Sequence, residues 1–325
     1  MLLCIARCIG LFILALALSP FARADMDWAS VVWQNDVFAG KDGGGYTNGV
    51  FLSLYDLSWE GEDEYEPPLL TKPLLWMING DHTRAFSEHT LGQHMVTPAD
   101  IKKPVPDPND APYAGLLMYR ASHIVIRDNF ADNISTTIGL IGPSTKAEQL
   151  QKYIHKVIGS NRPMGWDYQL KDEPVFMFAR TSVWRHELAG DYLDTILIAQ
   201  ARAGNLESSI GAGGILRAGS GLANSFAASS LNFGRLNTPV AIDGSWYAFF
   251  GLEVSYIFNH IFINGNTYRS SQSSNLEHQQ MMAIAGFSYG WEKFSLSFSY
   301  KSGTAMDVKK TGREEFGSIS LTWKL

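Results

Sequence analysis

One histidine, one carboxylate and a few neutral oxygen donors make up the reactive groups that the chain spaces in a suggestive way. His155 follows Gln151 by four residues, so on a helix both side chains project from nearly one face. Asn35 and Asp36 are adjacent, and Tyr46, Thr47 and Asn48 come soon after; Gln93, Thr97, Asp110 and Tyr113 follow in order. No His-Glu-x-x-His run occurs, so the zinc helix is absent, and the Gly-x-Ser-x-Gly run at Gly286–Gly290 lies inside an alternating strand pattern, not at the strand-to-helix turn of a serine-hydrolase elbow. Sets rich in oxygen suit a hard cation such as Ca²⁺. Beside such an ion a histidine can take a proton from water while the metal polarises an ester carbonyl. The chemistry on offer is metal-assisted ester hydrolysis. Singly, each group also has a plain reading: Asp-Gly, Asn-Gly and Asp-Pro pairs are turn formers, and a helix can carry an incidental histidine.

The elements that must bring these groups together read as strands. Phe294, Leu296, Phe298 and Tyr300 alternate with serines, and Ile319, Leu321, Trp323 and Leu325 alternate with Ser318, Ser320, Thr322 and Lys324. A period of two marks a strand with unlike faces. A soluble sandwich would hide the apolar face against a second sheet, whereas a membrane barrel turns it to lipid. Strands of about ten residues with aromatics near their ends favour the barrel. Twelve strands are predicted, at 26–37, 46–58, 84–97, 112–126, 131–142, 173–188, 191–203, 207–219, 244–260, 276–290, 293–302 and 314–325. An even count is what a bacterial barrel requires. With both termini periplasmic, every group named above falls at the outer rim.

Three segments break the pattern. Residues 145–158 are predicted to form a helix in an outer loop, with Thr145 and Glu148 as a capping box, Gly159 as the stop, and Leu150, Ile154, Val157 and Ile158 as an apolar stripe. Residues 59–83 and 220–243 are long connections on the periplasmic side, where turns should be short, and either could conceal a strand pair. The first contains an acidic run from Glu60 to Glu66 and Pro67, Pro68 and Pro73.

Composition sets the bounds. The chain has 325 residues, of which 18% are charged, with a net charge of −6. Ordinary globular chains carry about 25% charged residues. With a pI near 5.8 there is no basic surface for nucleic acid. Past the first two dozen residues no apolar run is long enough for a spanning helix. Residues 1–24 have a basic start at Arg7, an apolar run from Ile9 to Leu18 and an Ala22-Arg23-Ala24 cleavage pattern, which predicts a signal peptide. Both cysteines, Cys4 and Cys8, lie within it, so residues 25–325, the barrel domain, have no thiol chemistry. An exported chain of this kind suits the outer membrane of a Gram-negative bacterium.

Several runs, in order, resemble the outer-membrane lipid A 3′-O-deacylases. They are Asn35-Asp36-Val37-Phe38, Tyr46-Thr47-Asn48-Gly49, Gly92-Gln93 with Thr97-Pro98, Asp110 with Pro112-Tyr113-Ala114-Gly115, and Ile141-Gly142-Pro143. Gln151, His155, Ile158-Gly159, Gly165-Trp166-Asp167 and Gln169-Leu170 continue the series. The resemblance spans roughly residues 28–176. It implies a twelve-stranded barrel that removes the 3′-linked acyloxyacyl chain of lipid A at a Ca²⁺ site on its outer rim. It implies His155 as general base with Asn35, Asp36 and Thr47 as essential partners, and Asp36, Thr47 and Asn161 toward the metal. A substrate-binding lysine falls on Lys102 or Lys103, with Gln151 and Tyr113 beside it. Expected partners are lipopolysaccharide and outer-membrane lipids, for a monomeric enzyme. Asn161 stands where the best-studied member of that family has an essential glutamate, with Glu173 or Asp167 as substitute carboxylates, and Ala111 and the glycines after Asp42 stand where many relatives carry arginine. Two other readings stay open: a phospholipase-type outer-membrane esterase, and a non-enzymatic pore or structural barrel.

Overall fold

The computed structural model describes residues 26–39, 45–58, 65–78, 84–230, 245–308 and 313–325. The predicted signal peptide lies outside the described residues, as do the middles of both loops that flank the second strand. Twelve antiparallel strands form: β1 (Trp28–Asn35), β2 (Gly45–Ser58), β3 (Arg84–Thr97), β4 (Ala114–Arg127), β5 (Phe130–Ile141), β6 (Glu173–Ala189), β7 (Leu193–Gly204), β8 (Glu207–Ser220), β9 (Trp246–His260), β10 (Gln279–Gly290), β11 (Phe294–Thr304) and β12 (Arg313–Lys324). Each pairs with its sequence neighbour, and β1 pairs with β12, so the sheet closes into a barrel without an edge. The described ends of the chain share one rim, here the near rim; odd strands run from it to the far rim.

Alternation assigns the faces. Phe298 is 47% exposed on the outside, while its neighbour Ser297 is 1% exposed on the inside. Among the described residues no helix is long and apolar enough to cross a membrane; the strands supply the apolar band. Inside, charges come in matched sets. Arg120 and Ser122 both donate to Glu88, at 2.8 and 3.1 Å. Asp194 accepts from Arg185 at 2.6 Å and from Arg217 at 2.7 and 2.9 Å. Removing one partner of such a buried pair costs about 3–5 kcal/mol, because the other charge is left uncompensated.

Neither long connection conceals a strand pair among its described residues. The second enters the lumen. A helical turn at Leu222–Ser225 continues into a 3-10 turn at Phe226–Ser230, and Phe226 is buried among Ile126, Val183, Ile196 and Ile215. Arg217 ties it down by donating to Ser225 Oγ at 2.8 Å and to the Leu222 carbonyl at 2.7 Å. The first connection forms a 3-10 helix at Leu69–Met77 that rides on the outside of β4 and β5.

Candidate active site

Register places the sequence-predicted residues on the outer wall of the far rim. Asn35 stands opposite Asn48, Asn48 opposite Met95, and Met95 opposite Gly115. Opposed residues on antiparallel strands share a face. Gly115 has the parity of the lipid-exposed Leu117, so the whole row looks out of the barrel. Thr47 is the extra residue of a β-bulge between Tyr46 and Asn48. Bulges re-aim a side chain at a rim, and this one sits beside Asn35. The side chain of Thr47 itself lies outside the described residues.

A fold-back of the chain fixes the first corner. After Asn35 the 3-10 turn Asp36–Ala39 bends over β12, with Phe38 lying on Gly317 and edge-on to Trp33 at 4.9 Å. Trp33 Nε1 donates to Asn48 Oδ1 at 3.1 Å. Asp36 is thereby buried at the strand end.

The helix, α1 (Ala147–Ile158), supplies the second corner. It lies on the outer wall over β4 and β3, and its seat needs a residue with no side chain. A Cβ on Gly115 would stand 2.3 Å from Ala147 Cβ and 2.4 Å from Thr145 Oγ1. Gln93 Nε2, on the same outer face, donates to the Thr145 carbonyl at 2.7 Å. Two strand spacings, about 10 Å, separate this seat from Asn48. The expected capping box does not form. Lys146 takes the N-cap position in a left-handed conformation, and Thr145 Oγ1 turns back to the Gly142 carbonyl at 2.7 Å. The stop is as expected: Gly159 is left-handed, with φ of 74°.

The buried row of α1 is Ala147, Gln151 and His155, one residue per turn, rather than the apolar stripe. Leu150 and Ile154 are half-buried, and Val157 is exposed. His155 Nδ1 lies 2.5 Å from the carbonyl oxygen of Asn161. A carbonyl only accepts, so Nδ1 carries the proton and Nε2 of the neutral ring keeps its lone pair. The Gly159 and Ser160 amides both donate to the His155 carbonyl and curl residues 159–161 beneath the ring.

Other expected site residues prove to be supports. Gln151 Oε1 accepts from Trp166 Nε1 at 2.7 Å. Trp166 packs on Tyr113 at 4.9 Å. Tyr113 is fully buried and donates to the Ile101 carbonyl at 3.2 Å. Burial pushes its hydroxyl up to about 12, so it stays a neutral donor. Gln151 and Tyr113 therefore hold the loop that α1 leans on and offer no surface to a substrate. Asp110 staples the loop before β4 through the amides of Ala99 and Ala111. Lys102 and Lys103 are exposed on that loop. The Asn161 side chain is exposed and its backbone does the work. Glu173 does not replace the missing glutamate: it accepts from Asn266, Thr267 and Tyr268 and so anchors the β9–β10 loop. Asp167 is exposed. Sequence reading passed over Trp166 as a prop and Gly115 as a seat, although both lay inside the quoted runs.

Among the described residues no group of three or more His, Cys, Asp or Glu side chains could hold a metal. The corner by Asn35 offers one buried carboxylate, Asp36, beside the side-chain amides of Asn35 and Asn48 and backbone oxygens. That donor chemistry fits a hard cation and not zinc.

A family model described as "Outer membrane protein LpxR" matches residues 8–325. The chain belongs to the LpxR family. This is the lipid A deacylase family that the sequence resembles, and its members reside in the outer membrane. LpxR from Salmonella typhimurium has the same fold, at a TM-score of 0.74 and 16% identity over 92% of this chain and 100% of that one. The KdgM porin and the COG4313 outer membrane channel from Pseudomonas putida F1 are more distant, at TM-scores of 0.37 and 0.43 and identities of 7% and 10%. They cover 92% of this chain in both cases, and 99% and 96% of their own. No curated protein matches the chain.

Proposed function

We propose that the protein is a Ca²⁺-dependent lipid A deacylase that removes the 3′-linked acyloxyacyl chain in the outer leaflet. The observation that carries the reading is the shared outer wall. The helix that carries His155, whose Nδ1 is committed to Asn161, is seated on the outer wall at β4 and β3, two strands along the far rim from Asn48, which faces Asn35 and adjoins the Thr47 bulge. Nε2 of His155 is then the group to take a proton from water, whose oxygen attacks the ester carbonyl. The tetrahedral adduct collapses by expelling the sugar alkoxide, and the imidazolium returns the proton to it. Asp36, with oxygens of Asn35 and Thr47, would hold the Ca²⁺, which supplies Lewis-acid stabilisation to the carbonyl oxygen. Lys102 or Lys103, exposed on the adjoining loop, meets the phosphates of the headgroup.

The test is a mass spectrum of lipid A after incubation with the purified protein, with Ca²⁺ and with chelator. Loss of one acyloxyacyl group only with Ca²⁺ is expected. Unchanged lipid A from folded protein would overturn the reading, and acyl release from phospholipid in the same assay would move the substrate to that class. The pore reading is opposed by the lumen, into which the turns at 222–230 fold near the chain ends, with Phe226 buried against β4, β6, β7 and β8 and Arg217 bonded to Asp194.

A further inference from the structure

The lipid-facing pattern fails on one sector of the wall. Where β8–β11 show Phe, Leu, Ile or Val to the outside, β3–β6 show His89, His123, Asp132, Thr136, Arg180 and Ser182. Asp132 takes two bonds from Arg180, at 3.1 and 2.7 Å, and one from Ser182 Oγ at 3.0 Å. The segment 65–78 covers part of this sector. Tyr65 Oη lies 2.6 Å from His123 Nδ1 with the rings stacked, and Thr136 Oγ1 donates to the Leu70 carbonyl at 2.7 Å.

The height of that last bond matters. Thr136 is six residues above Phe130, where β5 begins at the near rim. At about 3.3 Å per residue and a tilt of about 45°, it stands about 14 Å up a band about 25 Å tall. The chain at Leu69–Leu70 is therefore level with the middle of the hydrocarbon. Leu69 is 76% exposed there, and Trp76 on the same segment is 72% exposed. At that depth the medium is lipid.

The segment is built to tolerate it. Irregular backbone at membrane depth must satisfy its own amides. Pro67, Pro68 and Pro73 have none to satisfy, and the Thr71 amide and hydroxyl both donate to the Pro68 carbonyl, at 2.9 and 2.8 Å. Lys72 turns back to Glu66 at 3.0 Å, beside the Tyr65 that is held lower on the wall. A long cationic side chain in lipid sends its charge toward the interface in this way.

We propose that residues 65–78 form a strap inserted in the leaflet nearer the chain ends, shielding the polar sector of β4 and β5 while Leu69 and Trp76 contact acyl chains. The strap is a lipid-binding surface, and not an aqueous periplasmic loop. The chain has no cysteine beyond Cys8, so single nitroxide labels can be placed without background. Labels at L69C and W76C, in protein reconstituted into phosphatidylcholine vesicles, are compared with L252C on the lipid-exposed wall and with E292C on the exposed β10–β11 turn at the near rim. Oxygen collisions are expected to exceed those of a water-soluble nickel complex as strongly at L69C and W76C as at L252C, and several-fold more than at E292C. Ratios at L69C and W76C as low as at E292C would overturn the proposal. Because a label could itself lift the strap, amide exchange of the unmodified protein in the same vesicles is read alongside. Protection of residues 69–72 comparable with β5 is expected, and exchange as fast as in an open loop overturns it.

Discussion

Gly115→Ala tests whether the seat of α1 positions the base. The added methyl would lie 2.3 Å from Ala147 Cβ and 2.4 Å from Thr145 Oγ1. Non-bonded carbons settle at about 3.5–4.0 Å, so the start of the helix must move by about 1.2–1.7 Å. His155 lies eight residues further on, about 12 Å along a rigid helix, and moves with it. A misplacement of about 1 Å can cost about 100-fold in rate. The expected result is a loss of about 100-fold in lipid A deacylation, read as initial rates by mass spectrometry. The stability loss should stay within the about 1–3 kcal/mol of local overpacking, since the strand ladder is untouched. Gly214→Ala is the control, because a Cβ there meets nothing closer than 3.7 Å. A wild-type rate in Gly115→Ala with an unchanged melting temperature would refute the idea that this contact sets the position of His155.

Further outcomes can be checked with the same protein. His155→Ala should lower deacylation by about 10²–10⁴-fold, the worth of a general base, while circular dichroism still reports a barrel. Asp36→Asn should raise the Ca²⁺ concentration needed for half-maximal activity by about tenfold or more, as titration against a buffered ion series would show. Asn161→Ala should change the rate by no more than about twofold, the usual scale for a surface substitution, because the backbone carbonyl and not the side chain holds His155; a large drop would return the side chain to the metal. In planar bilayers the purified protein should show no conductance steps, given the turns at 222–230 that fold into the lumen and are tied to Arg217; regular steps would reopen the pore reading.

The strands were legible because lipid and lumen demand opposite polarity at every second position, as Phe294 to Tyr300 display. The closed order from β1 to β12 followed from an even count of such segments. The far-rim residues were legible as a set once parity placed them together. The details that failed are those in which a contact far along the chain decides a local choice. Thr145 prefers the Gly142 carbonyl to the helix amides because β4 fixes Gly142 through the Gly115 carbonyl. Tyr113 and Gln151 read as binding residues, yet Trp166 and Ile101 claim them. The strap at 65–78 has neither helical nor strand period, so it read as a loop; its signal lay elsewhere, in the polar Asp132 and Thr136 on strands that should face lipid.

The row from Asn35 to Gly115 opens sideways from the wall rather than into the bore, and this changes how encounter with a substrate is counted. A lipid approaching such a site never leaves the sheet of molecules in which it floats. Its frequency of arrival depends on lateral diffusion and on its mole fraction among its neighbours, and not on its amount per volume of medium. Diluting the substrate with inert amphiphile at constant bulk concentration should therefore slow turnover. Adding more mixed surface of the same composition should not.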